Sequence, residues 1–180
     1  MAHARAGLRF AQEHDLGLAE RHLESQMAQC QLRSGAWDAA AHLAHGVLAA
    51  PEAAPSSRFM AQIVAGLVMV RRGDRQGIAM LEQARDLAEA SGSLVYLAPY
   101  LAARAEAAVL LDRSVTTWAE ALAQAQQDGA DAATGSRTSS LAYWRWVCGT
   151  AAPPCPDAGN PYCLQIRGQW AEAAAAWQAQ

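Results

Sequence analysis

The chain has 180 residues, with 52 % hydrophobic and 17 % charged residues, which is enough apolar material to bury a core and excludes global disorder. Arginine supplies all 14 basic side chains, lysine is absent, and 17 acidic residues bring the formal charge to −3. That balance excludes the concentrated positive face on which nucleic-acid binding depends. Residues 1–10 contain basic side chains but no apolar run behind them, so no secretory leader is read. The most apolar stretch, residues 59–70, is shorter than the roughly 20 residues that span a bilayer, and Arg71 and Arg72 end it. A cytoplasmic location is expected.

Alanine fills 44 positions. With leucine, glutamine, arginine and glutamate it favours helix throughout, and no segment alternates with the period of a strand. A first helix is predicted over residues 4–14, and Asp15 is placed to cap a second one carrying Leu18, His22 and Leu32. Gly35-Ala36-Trp37-Asp38 turns the chain into a third helix that Pro51 stops. Ser56 or Ser57 caps a fourth over residues 58–72, apolar on most sides through Phe59, Met60, Ile63, Val64, Leu67, Val68 and Val70, and so expected between neighbours. After Gly73-Asp74 a single helix is predicted to Ser91-Gly92, its stripe formed by Ile78, Leu81, Ala84, Leu87 and Ala88. Helices follow over residues 94–111, with Pro99 in the first turns, and 116–127. Residues 131–140 read as a polar loop or a frayed helix start, 141–148 as a helix and 150–161 as a proline-rich loop. A short helix over 162–167 and a last one from Trp170 complete the chain.

Gly35-Ala36-Trp37-Asp38-Ala39-Ala40-Ala41 and Gly168-Gln169-Trp170-Ala171-Glu172-Ala173-Ala174 share the pattern G-x-W-x-x-A-A, and Gly73 falls 38 residues after Gly35. A helix–turn–helix unit recurring near every 40 residues predicts an all-α, tetratricopeptide-like α-solenoid over residues 1–180. In the tetratricopeptide motif the glycine frees the turn, the tryptophan wedges between the paired helices, and the alanine three further lets them approach. Gly35, Trp37 and Ala40 fill those roles. The unit at Gly73 lacks the aromatic, so the repeats are degenerate. Alanine abundance suits close helix contacts, although a GC-rich genome writes the same residues.

Three blocks in order resemble the sensor region of the large ATP-binding LuxR-type transcriptional regulators. The first runs from Glu13-His14-Asp15-Leu16 to Gly35-Ala36-Trp37-Asp38-Ala39-Ala40. The second joins Ser57-Arg58, Arg71-Arg72-Gly73-Asp74 and Leu87-Ala88-Glu89-Ala90-Ser91-Gly92 to Ala102-Ala103-Arg104-Ala105-Glu106-Ala107-Ala108. The third joins Leu141-Ala142-Tyr143-Trp144-Arg145-Trp146 and Pro161-Tyr162-Cys163-Leu164-Gln165-Ile166 to Gly168-Gln169-Trp170-Ala171-Glu172-Ala173-Ala174-Ala175-Ala176-Trp177. The resemblance implies a middle, signal- or partner-receiving region between a nucleotide-binding domain and a helix-turn-helix DNA reader. Neither a phosphate loop nor a basic recognition helix occurs in these residues, so a fragment of such a regulator is expected. A stand-alone adaptor that binds a peptide or another protein is the alternative.

Tyr143, Trp144 and Trp146 form the densest aromatic cluster, and with Tyr100 and Arg104 they are the candidate ligand- or partner-binding residues. Trp144 and Trp146, two apart, point in different directions on a helix, so one can pack inside while the other lines a groove; packing between repeats is the competing role. Arg104 and Glu106 lie on an apolar helix and are read as ion-paired or groove-facing. His42 and His45 share a helix face but lack further ligands, and no nucleophile motif is complete, so no catalytic residue, metal or cofactor is expected. A helical-bundle enzyme would need a bound metal or convergent carboxylates in a closed pocket. Cys30, Cys148, Cys155 and Cys163 form no CxxC pair and are read as reduced thiols, with a bridge between two of the last three as the alternative. A homodimer through the terminal helix, residues 168–180 with Trp170 and Trp177, is expected. The inducer itself is not legible.

Overall fold

A computed structural model describes residues 2–112, 115–128, 135–150, 155 and 157–179. Among these there is no strand. The helices are α1 (Ala2–Glu13), α2 (Gly17–Arg33), α3 (Trp37–Ala49), α4 (Pro55–Arg71), α5 (Gln76–Glu82), α6 (Arg85–Ser91), α7 (Leu94–Ala107), α8 (Val115–Asp128), α9 (Gly135–Val147), α10 (Pro161–Ile166) and α11 (Trp170–Gln178), with a π-helical turn (Ala108–Asp112) closing α7. The contacts divide the chain into two compact units, Met1–Leu87 and Ala88–Gln180, and the boundary falls inside α6. Among the described residues alanine accounts for 18 of the 34 buried apolar positions, so small side chains fill more than half of them.

In the first unit each helix from α1 to α5 packs on the next, and α2 also reaches α4. The all-round apolar sequence of α4 has the consequence expected of it. Phe59, Ile63, Val64, Leu67, Val68 and Val70 are buried and Met60 is half-buried. Neither Ser56 nor Ser57 caps this helix. It begins three residues earlier than expected, with Pro55 in the first turn, where its missing N–H costs nothing and its fixed φ is already helical. Asp15 is not a cap either. It takes a left-handed φ of 54° in the turn after α1, and Leu16 precedes α2 without a side-chain cap bond. The helix expected over residues 75–91 is interrupted. After α5 the Ala84 N–H bonds the Leu81 carbonyl three residues back, a tighter turn that separates α5 from α6 while Leu81, Ala84 and Ala88 stay buried.

Two arginines fix the links between these helices. Arg58 donates to the carbonyls of Leu48, Ala50 and Ala53, gathering the C-terminal end of α3 and the turn through Pro51 against the start of α4. The Leu48 carbonyl lies in the last turn of α3, where the helix itself supplies no donor, and the Ala50 carbonyl also accepts from the Ala53 N–H at 3.2 Å. Arg21 pairs with Glu20 at 2.8 Å and Glu24 at 2.7 Å and lies 3.7 Å from Glu52, while Gln12 of α1 donates to Glu20 at 3.0 Å. Burial pushes the Glu24 carboxyl above its ordinary range, and the positive charge of Arg21 opposes that shift.

Helices α4 and α5 cross closely at two glycines. A Cβ built on Gly77 would sit 2.6 Å from the Gly66 carbonyl oxygen and 2.9 Å from Met69 Cβ. One built on Gly66 would sit 2.7 Å from two carbons of Leu81. Only hydrogen fits at either position.

The second unit places α7, α8 and α9 mutually in contact, with α10 on α9 and α11 on α10. Ser93 caps α7 by accepting the Val95 N–H, and Asn160 caps α10 by accepting the Tyr162 N–H at 3.1 Å. Ala119, Leu122 and Ala125 form the buried stripe of α8. Residues 135–140, expected to be loop or frayed, are the first turns of α9, and Thr138 and Ser139 are buried there. The expected loop at 131–134 and, in the proline-rich segment, residues 151–154 and 156 lie outside the described residues. Leu94–Leu111, the run through α7 and the π-helical turn, is long and apolar enough to cross a membrane by length and composition alone. It carries the buried Glu106 and packs on α8 and α9.

The expectation of four reduced thiols gives way to its alternative, a bridge between two of the last three cysteines. Cys155 and Cys163 are joined as a disulfide, with their Cα atoms 5.6 Å apart, whereas Cys30 and Cys148 are free. The bend through residues 157–160, in which Asp157 accepts from Gly159 at 3.0 Å, returns the chain so that the two sulfurs meet.

The glycine crossing yields a contrast between two substitutions. Gly77→Ala should lower the unfolding free energy by about 1–3 kcal/mol, because backbone would have to move. Gly46→Ala, in an open part of α3 with nothing within 4 Å, should raise it by about 0.5–1 kcal/mol through helix propensity. Urea melts of both variants against the parent chain measure the difference.

Candidate functional site

The aromatic residues singled out from the sequence fall into two sets of ring contacts, both in the second unit. One set is built on α7 and α8. Tyr100 is 2 % exposed and meets Trp118 edge to face, with ring centroids 6.3 Å apart. Arg104, one turn further along α7, holds its guanidinium carbon 4.7 Å from the centroid of the same indole. An arginine in that position gains from the negative face of the ring while its stem covers apolar surface. Trp118 therefore joins the two α7 residues. Tyr100 is a core side chain and offers almost no surface to a ligand.

The other set runs across α9, α10 and α11. Tyr143 is its hub: its ring lies 5.3 Å from Trp144, 6.1 Å from Trp146 and 5.4 Å from Tyr162. Trp146 reaches Trp170 at 6.4 Å, and Tyr162 meets Trp177 edge to face at 4.9 Å. These separations lie in the range in which aromatic pairs contribute beyond their buried area. Tyr143, Trp144 and Trp146 are half-buried, while Trp170 is 59 % exposed and forms the open end of the series. Trp144 and Trp146 both contact the ring of Tyr143, the residue just before them in sequence. Arg145 of the same helix donates to Gln126 of α8 at 2.8 Å, tying α9 to its neighbour.

Trp118 and Tyr162 were not among the candidates. Each is brought to its partners by helix packing, and no spacing along the chain announces it. The adjacent Pro161 and Cys163 were the nearest signal for Tyr162, since both anchor the short helix that carries it. His42 and His45 are exposed on α3. Among the described residues no group of three histidine, cysteine or acidic side chains is arranged to hold a metal.

Burial, and next the negative charge of Glu106 on α7, push the Tyr143 hydroxyl above its ordinary value of 10.0. The Cys148 thiol, buried past the end of α9, is likewise pushed up by burial. The arrangement as a whole supplies stacking faces, the guanidinium groups of Arg104 and Arg145 and phenol hydroxyls. Those groups suit recognition of apolar or aromatic surface. Compared with family models, with curated proteins and with solved structures, the chain matches none.

The raised Tyr143 value has a definite sign in stability. The phenol ionises more readily in the unfolded chain, so its contribution is complete below pH 10.0 and is lost as pH rises through the folded value. Urea midpoints followed across the alkaline range should fall less steeply in Tyr143→Phe than in the parent. Glu106→Gln should leave an intermediate slope if its charge acts on that hydroxyl.

Proposed function

We propose that the chain is a non-catalytic helical-repeat domain that receives a signal or a protein partner, of the kind found in the middle of ATP-dependent LuxR-type transcriptional regulators. The observation that carries this reading is the duplicated G-x-W-x-x-A-A sequence at the start of α3 and of α11. In both copies a positive-φ glycine, Gly35 at 81° and Gly168 at 74°, precedes the helix, and the alanine three residues after the tryptophan, Ala40 or Ala173, is buried. That pattern supports reading the two segments as tetratricopeptide-like hairpins, in which small residues bring paired helices together. The contacts of α2 with both α3 and α4 are of the type that stacked hairpins make.

On this reading the domain works by binding alone. A ligand or partner on the aromatic residues of α9 to α11 would favour one packing of neighbouring helices over another, which requires different affinities for the two packings. Trp144, Trp146 and the exposed Trp170 are its contact residues. Tyr143 and Arg104 position them, and Tyr100 supports them from the core. No metal or cofactor takes part, the location is cytoplasmic, and DNA is not touched by this segment.

A stand-alone adaptor with the same binding residues is the second reading, favoured by the exposure of Trp170 on α11. The flanking reading frame separates the two. A phosphate-loop ATPase encoded in frame on one side and a helix-turn-helix on the other supports the regulator; unrelated flanking frames support the adaptor. Both readings include self-association through α11. Sedimentation of the full chain over a range of concentrations should show a monomer–dimer equilibrium that Trp170→Glu shifts at least tenfold toward monomer, the effect of losing one aromatic anchor at an interface. A parent chain that stays monomeric throughout removes self-association from the proposal.

A further inference from the structure

The disulfide joins a half-buried residue to a fully buried one. Cys155 lies in the segment before α10 and is partly open to solvent, whereas Cys163 is 0 % exposed in the middle of α10. Ser139 of α9, also buried, places its hydroxyl oxygen 3.5 Å from the Cys163 sulfur. The neighbour of Cys163 is Tyr162, whose ring contacts Tyr143 on one side and Trp177 on the other. Helix α10 has only six residues, too few to hold a helical conformation by its own hydrogen bonds. It is held in part by the Asn160 cap, the packing of Pro161, Tyr162 and Cys163, and the covalent link to Cys155.

We propose that Cys155–Cys163 is a thiol-operated clasp that sets how firmly α10, and with it the aromatic contacts of α9 and α11, is seated. The reductant is a dithiol of the kind that maintains cellular thiols. Its thiolate attacks the accessible sulfur, Cys155 Sγ, forming a mixed disulfide as the Cys155–Cys163 bond breaks. The electron pair of that bond leaves on Cys163 Sγ. There the Ser139 hydroxyl donates a hydrogen bond to the thiolate until a proton arrives from solvent. The second thiol of the reagent then attacks its own sulfur in the mixed disulfide and releases Cys155. The reagent ends as a disulfide, and the protein has gained two electrons and two protons. Cys163 remains in the core beside Ser139, while Cys155 no longer tethers the segment before α10. Of the free cysteines, Cys148 is a buried thiol whose ionisation is disfavoured by burial.

The test uses the full chain, oxidised with glutathione disulfide and then titrated with dithiothreitol at neutral pH. Samples are acid-quenched, alkylated in denaturant and weighed by mass spectrometry, with tryptophan emission and far-UV circular dichroism recorded alongside. The expected result is a change from two to four alkylated cysteines. It should be accompanied by a shift in tryptophan emission while most of the helical signal persists. Cys155→Ser should show the reduced emission at the outset and no response to the reagent. Ser139→Ala should be reduced about threefold to tenfold more slowly, the effect of losing one hydrogen bond to the departing thiolate, with the same final count. Four alkylated cysteines in the oxidised sample would overturn the proposal. So would reduction that occurs only together with global unfolding, or emission that is the same in parent and Cys155→Ser. Should Cys155→Ser fail to fold, a reduced parent that also loses its helical signal overturns the clasp in favour of a purely structural bridge.

Discussion

Where α4 crosses α5, the carbonyl oxygen of Gly66 faces Gly77 at a distance that leaves no space for a β-carbon. Helices approach this closely only if the residues between them carry almost nothing, and the same economy governs the rest of the chain. Alanines fill most of the buried apolar positions, and the large side chains in the core, such as Phe59 and Tyr100, occupy what space remains between alanine-lined helices. Close packing of this type gains dispersion contacts along whole helices and gives little tolerance to added volume. It also explains why the links are built from arginine. Arg58 and Arg21 reach across short gaps to carbonyls and carboxylates at helix ends and junctions, where alanine has no hydrogen-bonding group to offer.

The second unit applies a different solution at its C-terminal end. Helices α9, α10 and α11 meet through rings, with Tyr143 and Tyr162 as the connecting pair. An aromatic contact covers a large area without requiring long helices, which suits an α10 of six residues. The seat of α10 includes a side-chain cap, aromatic contacts and a disulfide. A helix too short to hold itself is a part of a fold whose packing a partner or a chemical change can alter at low cost. The proposed binding role and the proposed clasp both draw on that property, one through the exposed tryptophan and the other through sulfur.

Much of the helical framework was legible because its signals are local. Apolar residues all round residues 59–70 require burial on every side, and glycines with positive φ at 35, 73 and 168 mark turns that other residues adopt at a cost. The misreadings concern choices that local chemistry leaves nearly balanced. Ser56, Ser57 and Asp15 are all good capping residues, yet Pro55 started α4 earlier and Asp15 was taken by the turn before α2. The break between α5 and α6 passes through residues with strong helix propensity, so propensity could not reveal it.

Sequence by itself determined that the chain is helical, where most turns fall, and that α4 lies within a core, since periodicity and turn chemistry act over a few residues at a time. Tertiary structure decided which side chains meet. Trp118 beneath Arg104, Tyr162 between Tyr143 and Trp177, and Cys155 against Cys163 are pairings between segments whose separation in sequence carries no information about their separation in space. Those pairings follow from the angle and distance at which helices pack, which many side chains fix together and no single motif encodes.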